Sequence, residues 1–241
     1  MVGQLYQQLP LHMNLHFIHQ IGTPSVQGES TGTDMILYYG KNDFYMQAEG
    51  MEQIANDSLL VLVNSEAKRI GIYPNDKTLQ KSLLRSASLI TTDSSVDAMV
   101  ERYSASLQDE GQNRKRIILQ TREKVFGTAL PKETISVSYY AGSHQPVSFE
   151  KWKTSLVPVD SALYSQLIND SRNSGKVIRT NTKEGVLFFM VKEQYTNCRF
   201  TKVSHDMKYP PVHEQDRITK LPDGTYQAAK GLEDYILSKE F

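Results

Sequence analysis

Cysteine is almost missing from this chain: Cys198 is the only one in 241 residues. That excludes an internal disulfide and any zinc site built from several thiolates. An excess of one charge is missing as well. Lys plus Arg and Asp plus Glu total 27 each, so no net basic field draws in nucleic acid or anionic lipid. No run approaches the roughly 18 apolar residues a membrane-crossing helix needs. The opening Met1-Val2-Gly3-Gln4 has neither the basic start nor the apolar core of a secretory signal. The expectation is either a cytoplasmic protein or a chain that begins after a removed signal. There is also no phosphate-binding glycine loop, no nucleophile elbow and no zinc-protease helix motif. Pairs such as Asp57-Ser58 and His205-Asp206 define no triad, because triads are recognised by geometry. No enzymatic activity, no cofactor and no metal are therefore expected.

What the chain does have is strands. Between Met35 and Tyr73 the segments MILYY, DFYMQAE, SLLVLVN and AKRIGIY follow one another at strand length. Gly40-Lys41-Asn42, Asn56-Asp57 and Asn64-Ser65-Glu66 separate them. Connections this short favour antiparallel neighbours, since a parallel crossover needs a dozen or more residues. The run Leu59–Val63 is apolar on both sides, which calls for cover on both faces of the sheet or for an apolar cavity on one. Upstream, Leu9, Leu11, Met13, Leu15 and Phe17 alternate with Pro10, His12, Asn14 and His16, a half-buried strand. On a strand His12 and His16 point one way and His19 the other, so they make no three-histidine ligand set.

Residues 22–32, rich in Gly, Ser, Thr and Pro, read as a loop. Leu79, Leu83 and Leu84 stand at helical spacing within residues 75–88, and a second short helix is expected near 94–99. ERYSASLQ and RKRIILQTR read as a hairpin around Gly111, with Arg114-Lys115-Arg116 as a solvated strand end. Residues 133–140 and 146–152 read as paired strands, and residues 160–169 as a helix capped by Asp160. Residues 185–191 and 194–203 are expected to form an irregular strand pair, with Cys198 as a structural residue. Glu49 and Glu52 read as surface carboxylates at a turn. Tyr209-Pro210-Pro211 cannot continue a central strand. The tail holds a Pro222-Asp223-Gly224 turn and two further β-prone pieces.

Two stretches, TDMILYYGKNDFYMQAEGMEQIANDSLLVLVNSEAKRIGIYP and KETISVSYYAGSHQPVSFEKW, resemble the LolA-like family of envelope lipoprotein carriers. The resemblance spans about half of the chain as pattern. It implies a mainly β (α+β) fold: an incomplete antiparallel β-barrel whose apolar side is covered by short helices, here 75–88 and 160–169. It implies one domain over residues 1–241, with a C-terminal extension from about residue 205. No individual functional residue of the family matches a position here, so none is carried over. The function implied is non-enzymatic binding or carriage of a lipid, lipoprotein acyl chain or other apolar ligand in the periplasm or cell envelope. The candidate cavity residues are Met13, Phe17, Met35, Leu37, Met46, Leu60, Leu62, Ile70 and Leu83, with the Leu79–Leu84 segment as lid. Methionine's flexible thioether suits loosely defined acyl chains. The alternative is an envelope interaction or structural module with a filled core and no small ligand, whose partner is a protein.

Overall fold

The computed structural model describes residues 8–23, 26–75, 99–183 and 185–239. The chain is mainly β with few short helices, and it divides into two compact units. Unit 1 holds the described residues up to His16, those from Thr33 to Asn75, and those from Phe200 onward; unit 2 holds Phe17–Gly32 and the described residues up to Arg199. The pairing is open in each. Among the described residues, the last strand in unit 1's order has a single neighbour, and so does the last in unit 2's. This is the expected open antiparallel sheet rather than a closed barrel.

Unit 1 is built on β2 (Val26–Tyr39), β3 (Phe44–Ala48), β4 (Met51–Ala55), β5 (Leu59–Asn64) and β6 (Arg69–Pro74), an antiparallel meander preceded by β1 (Leu11–Thr23). The turns are set locally. Glu49 and Gly50 both have positive φ (45° and 71°), the left-handed pair that a two-residue hairpin loop requires. That turn splits DFYMQAEGMEQIA into β3 and β4. The Asn56 side chain accepts from the N–H groups of Ser58 and Leu59, each at 2.9 Å, a turn made by the side chain itself.

Because side chains alternate across a strand, the register sorts the meander into two apolar faces. One carries Tyr38, Tyr45, Ile54, Val61, Val63, Ile70 and Ile72, all buried. The segment after Ser204 packs onto it through Met207, Val212, Ile218, Tyr226, Ala228, Leu232, Tyr235 and Leu237. The Tyr38 hydroxyl donates to the Lys208 carbonyl at 3.1 Å. Arg217 holds Glu52 with two bonds, Nε at 2.6 Å and Nη2 at 3.0 Å, so Glu52 is an anchor for the tail rather than a surface carboxylate. A small hairpin, β13 (Ile218–Lys220) and β14 (Tyr226–Ala228), turns at Pro222-Asp223-Gly224 as expected. β15 (Ile236–Lys239) then adds to β6 in parallel, possible because a long stretch of chain separates them.

Unit 2 consists of β7 (Tyr103–Gly111), β8 (Arg114–Thr121), β9 (Glu133–Tyr140), β10 (Pro146–Val159), β11 (Val177–Thr182) and β12 (Gly185–Ser204, whose last residues belong to unit 1). Strand order runs β12-β10-β9-β8-β7, with β11 also on β12. The β7–β8 hairpin turns on Gln112 and Asn113, both at positive φ, while Gly111 sits at a register shift. Helix α1 (Ser161–Ile168) starts at Asp160, whose carboxylate accepts from Leu163 N–H at 2.7 Å, and it packs Tyr164 against Phe188 with ring centres 4.5 Å apart.

Three expectations need correction. The described residues within 22–32 are largely strand, the end of β1 and the start of β2, because the two strands lie side by side in the sheet and pairing overrides the weak local preference. Residues 185–204 form one 20-residue strand, not a pair; Lys192-Glu193-Gln194 supplies no turn residue, and all three pair with β10 in unbroken register. Arg116 is not a solvated end but part of an inner network described below. The expected helix over 75–88 lies outside the described residues except for Asn75, and that near 94–99 does so except for Met99.

Candidate functional site: the second apolar face of unit 1

The opposite face of the meander carries Leu11, Met13, Leu37, Phe44, Ala55 and Leu60, with Leu15, Tyr39, Met46, Leu62, Tyr73, Phe200 and Val203 partly buried against them. The register builds it: Leu37 lies across from Met46 on β3, Ala55 from Leu60, and Leu62 from Gly71. Tyr73 reaches back over Gly71, where an added Cβ would stand 2.7 Å from the ring. Glycine at 71 is thus what lets that aromatic lie flat on the face.

Of the nine residues singled out from sequence, the structure brings Met13, Leu37, Met46, Leu60 and Leu62 together here. Met35 shares the face with Leu37 two residues away on β2. Ile70 lies on the other face, beneath the tail. Phe17 is half-buried and falls in unit 2. Leu83 and the lid segment lie outside the described residues. Leu11 is 0% and Met13 2% exposed, whereas Met46 and Leu62 are half-buried.

Polar chemistry is concentrated elsewhere. His12 is buried on the reverse side of β1, and burial, reinforced by the charge of Lys202, holds its pKa below 6.5. His16 pairs with Asp34 at 2.7 Å and His19 with Thr196 at 3.2 Å, so the three histidines have separate surroundings. Burial pushes the Cys198 thiol up to about 11, which leaves it protonated and unreactive at neutral pH. In unit 2, Glu150 gathers Arg116, Ser136, Tyr195 and Asn197 around one carboxylate, the last donating at 3.2 Å. Sequence reasoning missed this cluster, because its members sit on four strands and only the register Glu150↔Ser136 and Glu150↔Asn197 joins them.

No protein-family model matches the chain, and no curated protein matches its sequence. Among the solved structures that match, two cover most of its length. A LolA superfamily protein from Nitrosomonas europaea is 6% identical, with 87% of this chain and 93% of that one covered and a TM-score of 0.26. A domain described as an outer membrane lipoprotein-sorting protein, from Vibrio parahaemolyticus, is 8% identical, with 83% and 87% covered and a TM-score of 0.25. At such TM-scores the likeness carries no argument about the site.

Proposed function

We propose that this protein is a non-enzymatic binding or carrier protein for a lipid or acyl chain in the bacterial envelope. One observation carries the reading. The meander is apolar on both faces, and among the described residues the tail beyond Ser204 packs on the Tyr38–Ile72 face, leaving the Leu37–Leu62 face to other cover. Methionines 13 and 46 and the half-buried Leu62 make that second face adaptable. An acyl chain laid on it would gain about 0.8 kcal/mol per buried methylene. No helix among the described residues is long and apolar enough to cross a membrane.

The burial of Leu11 and Met13 on the same face favours a second reading, an interaction or structural module whose core is filled. A single experiment separates the two. Delipidated protein is titrated with a fluorescent fatty acid, alongside Met46→Glu and Leu62→Glu. A carrier binds the probe, and the substitutions weaken binding at least tenfold while melting stays cooperative. If wild type takes up no probe and both substitutions simply lower the melting temperature, the face is packed core and the module reading stands.

A further inference from the structure

We propose that unit 2 holds a separate binding cleft for a small anion with an apolar body, such as an alkyl phosphate or a medium-chain carboxylate. The cleft has a volume of about 430 Å³, within the ~300–1,000 Å³ typical of small-molecule sites. It lies where β9 starts at Glu133 and β10 runs on past it, paired there only with β12 on its other edge, beside the loop of residues 122–132. None of its lining residues belongs to the apolar face of unit 1.

The loop is built to hold a shape. Val125 N–H donates to Leu130 O at 2.9 Å, Thr128 N–H to Val125 O at 3.0 Å, and Lys132 N–H to Glu123 O at 3.1 Å. Val125 is 3% exposed and anchors the loop; its neighbour Phe126 is 64% exposed at the cleft. Gly127, at φ 72°, makes the turn directly beside Ile178. A rigid loop that keeps an aromatic ring in water provides a preformed apolar wall, and Leu156 faces the same space from β10.

The charges sort themselves unevenly. Glu133 is the cleft's one carboxylate, and it is already engaged: Tyr103 donates to it, Lys151 Nζ lies at 2.9 Å and Arg102 at 3.9 Å. Lys132 pairs with Glu123. Lys153 stands opposite Glu133 in the register, yet it has no hydrogen-bonding or ionic partner among the described residues. Of the three cations that line the cleft, Arg102 and Lys132 already face carboxylates, and the Lys153 side chain is the one left without an anionic partner among the described residues. The backbone adds a donor. Thr154 N–H makes the last bond on this side of β10, to Lys132 O at 2.8 Å. By strand alternation Leu156 N–H points the same way, beyond the start of β9. A compact anionic head at Lys153 and the Leu156 N–H, with its apolar body against the exposed Phe126 ring, meets the groups left without a partner.

The test uses the intact protein and octyl phosphate below its micellar concentration, with inorganic phosphate and octanol as separate probes. Binding is followed by calorimetry and by amide NMR shifts. Octyl phosphate is expected to bind one to one and to move the amides of residues 125–130 and 153–156. It should bind at least tenfold more tightly than either half-probe. Lys153→Gln and Phe126→Ser, both at exposed positions, should each weaken it about tenfold, and Lys153→Glu more. Absence of binding overturns the proposal. So does inorganic phosphate binding as tightly as octyl phosphate with sensitivity to Lys153→Gln alone, which would make the cleft a plain anion site. If octyl phosphate binding ignores both substitutions but is lost in Met46→Glu, it belongs to unit 1's apolar face, and the cleft proposal falls while the carrier reading survives.

Discussion

At Glu133 burial and charge work against each other. Burial favours the neutral acid, but hydrogen bonds from Tyr103 and Lys151, with the charges of Lys151 and Arg102, outweigh it and hold the pKa below 4.5. The same contact, together with burial, pushes Tyr103 up to about 12. A carboxylate whose folded pKa is depressed contributes stability that is fully present above its unfolded value and is lost as pH falls through its folded one. Urea midpoints measured from pH 6 to pH 3 should therefore drop below about pH 4.5 in wild type, and Glu133→Gln should be less stable at pH 6 and flatter across the range. A Gln variant with an unchanged pH profile would show that Glu133 is not a source of the acid sensitivity. None of this was legible beforehand. ETISVSYY reads as a strand with Glu133 at its start, but the partners lie 30 residues upstream in Tyr103 and on the next strand in Lys151, and only the long-range register brings them close.

Individual strands were far more legible than their junctions. The meander, the β7–β8 hairpin, β9 and the Asp160-capped helix all follow from period-two or helical spacing bounded by turn residues. The failures came where local chemistry is ambiguous. Glycines at 22, 28 and 32, with Pro24 and the serines between them, resemble a loop, and it is the neighbouring strand that decides the matter. The 20-residue β12 was cut in two because strands that long are uncommon. β11 was overlooked, since VIRTNT is short and mostly polar. Gly71 shows how much one position inside an element can weigh. Gly71→Ala places a Cβ 2.7 Å from the Tyr73 ring, and the expected cost is about 1–3 kcal/mol, in line with overpacking elsewhere. Chemical denaturation checks this, and pairing it with Tyr73→Leu should remove most of the penalty. An undiminished penalty in the double variant would place the strain in the backbone instead.

For the molecule as a whole, the tail beyond residue 204 carries more of the fold than its sequence suggests. Its Pro-Pro step and isolated β-prone pieces read as an extension, but they supply Ile218, Leu237 and the Arg217–Glu52 pair to a buried face of unit 1. Both apolar sides of Leu59–Val63 announced that cover was needed; nothing in the meander said that the cover comes from the far end of the chain, from Met207 onward. A chain ending at Ser204 should lose the cooperative unfolding of unit 1 and bind a hydrophobic dye such as ANS strongly. Native-like melting of that chain would show the tail to be dispensable.

The parallel docking of β15 on β6 also sets a clock on synthesis. At about 5–20 residues per second, on the order of ten seconds or more pass between the appearance of β6 and that of its last partner. For most of that interval, until the residues from Met207 onward follow, the nascent polypeptide has yet to make the cover that the described tail gives Tyr38, Val61 and Ile72. It emerges from the ribosome obliged to wait, and any holding chaperone that greets it finds its natural grip along Met35–Pro74.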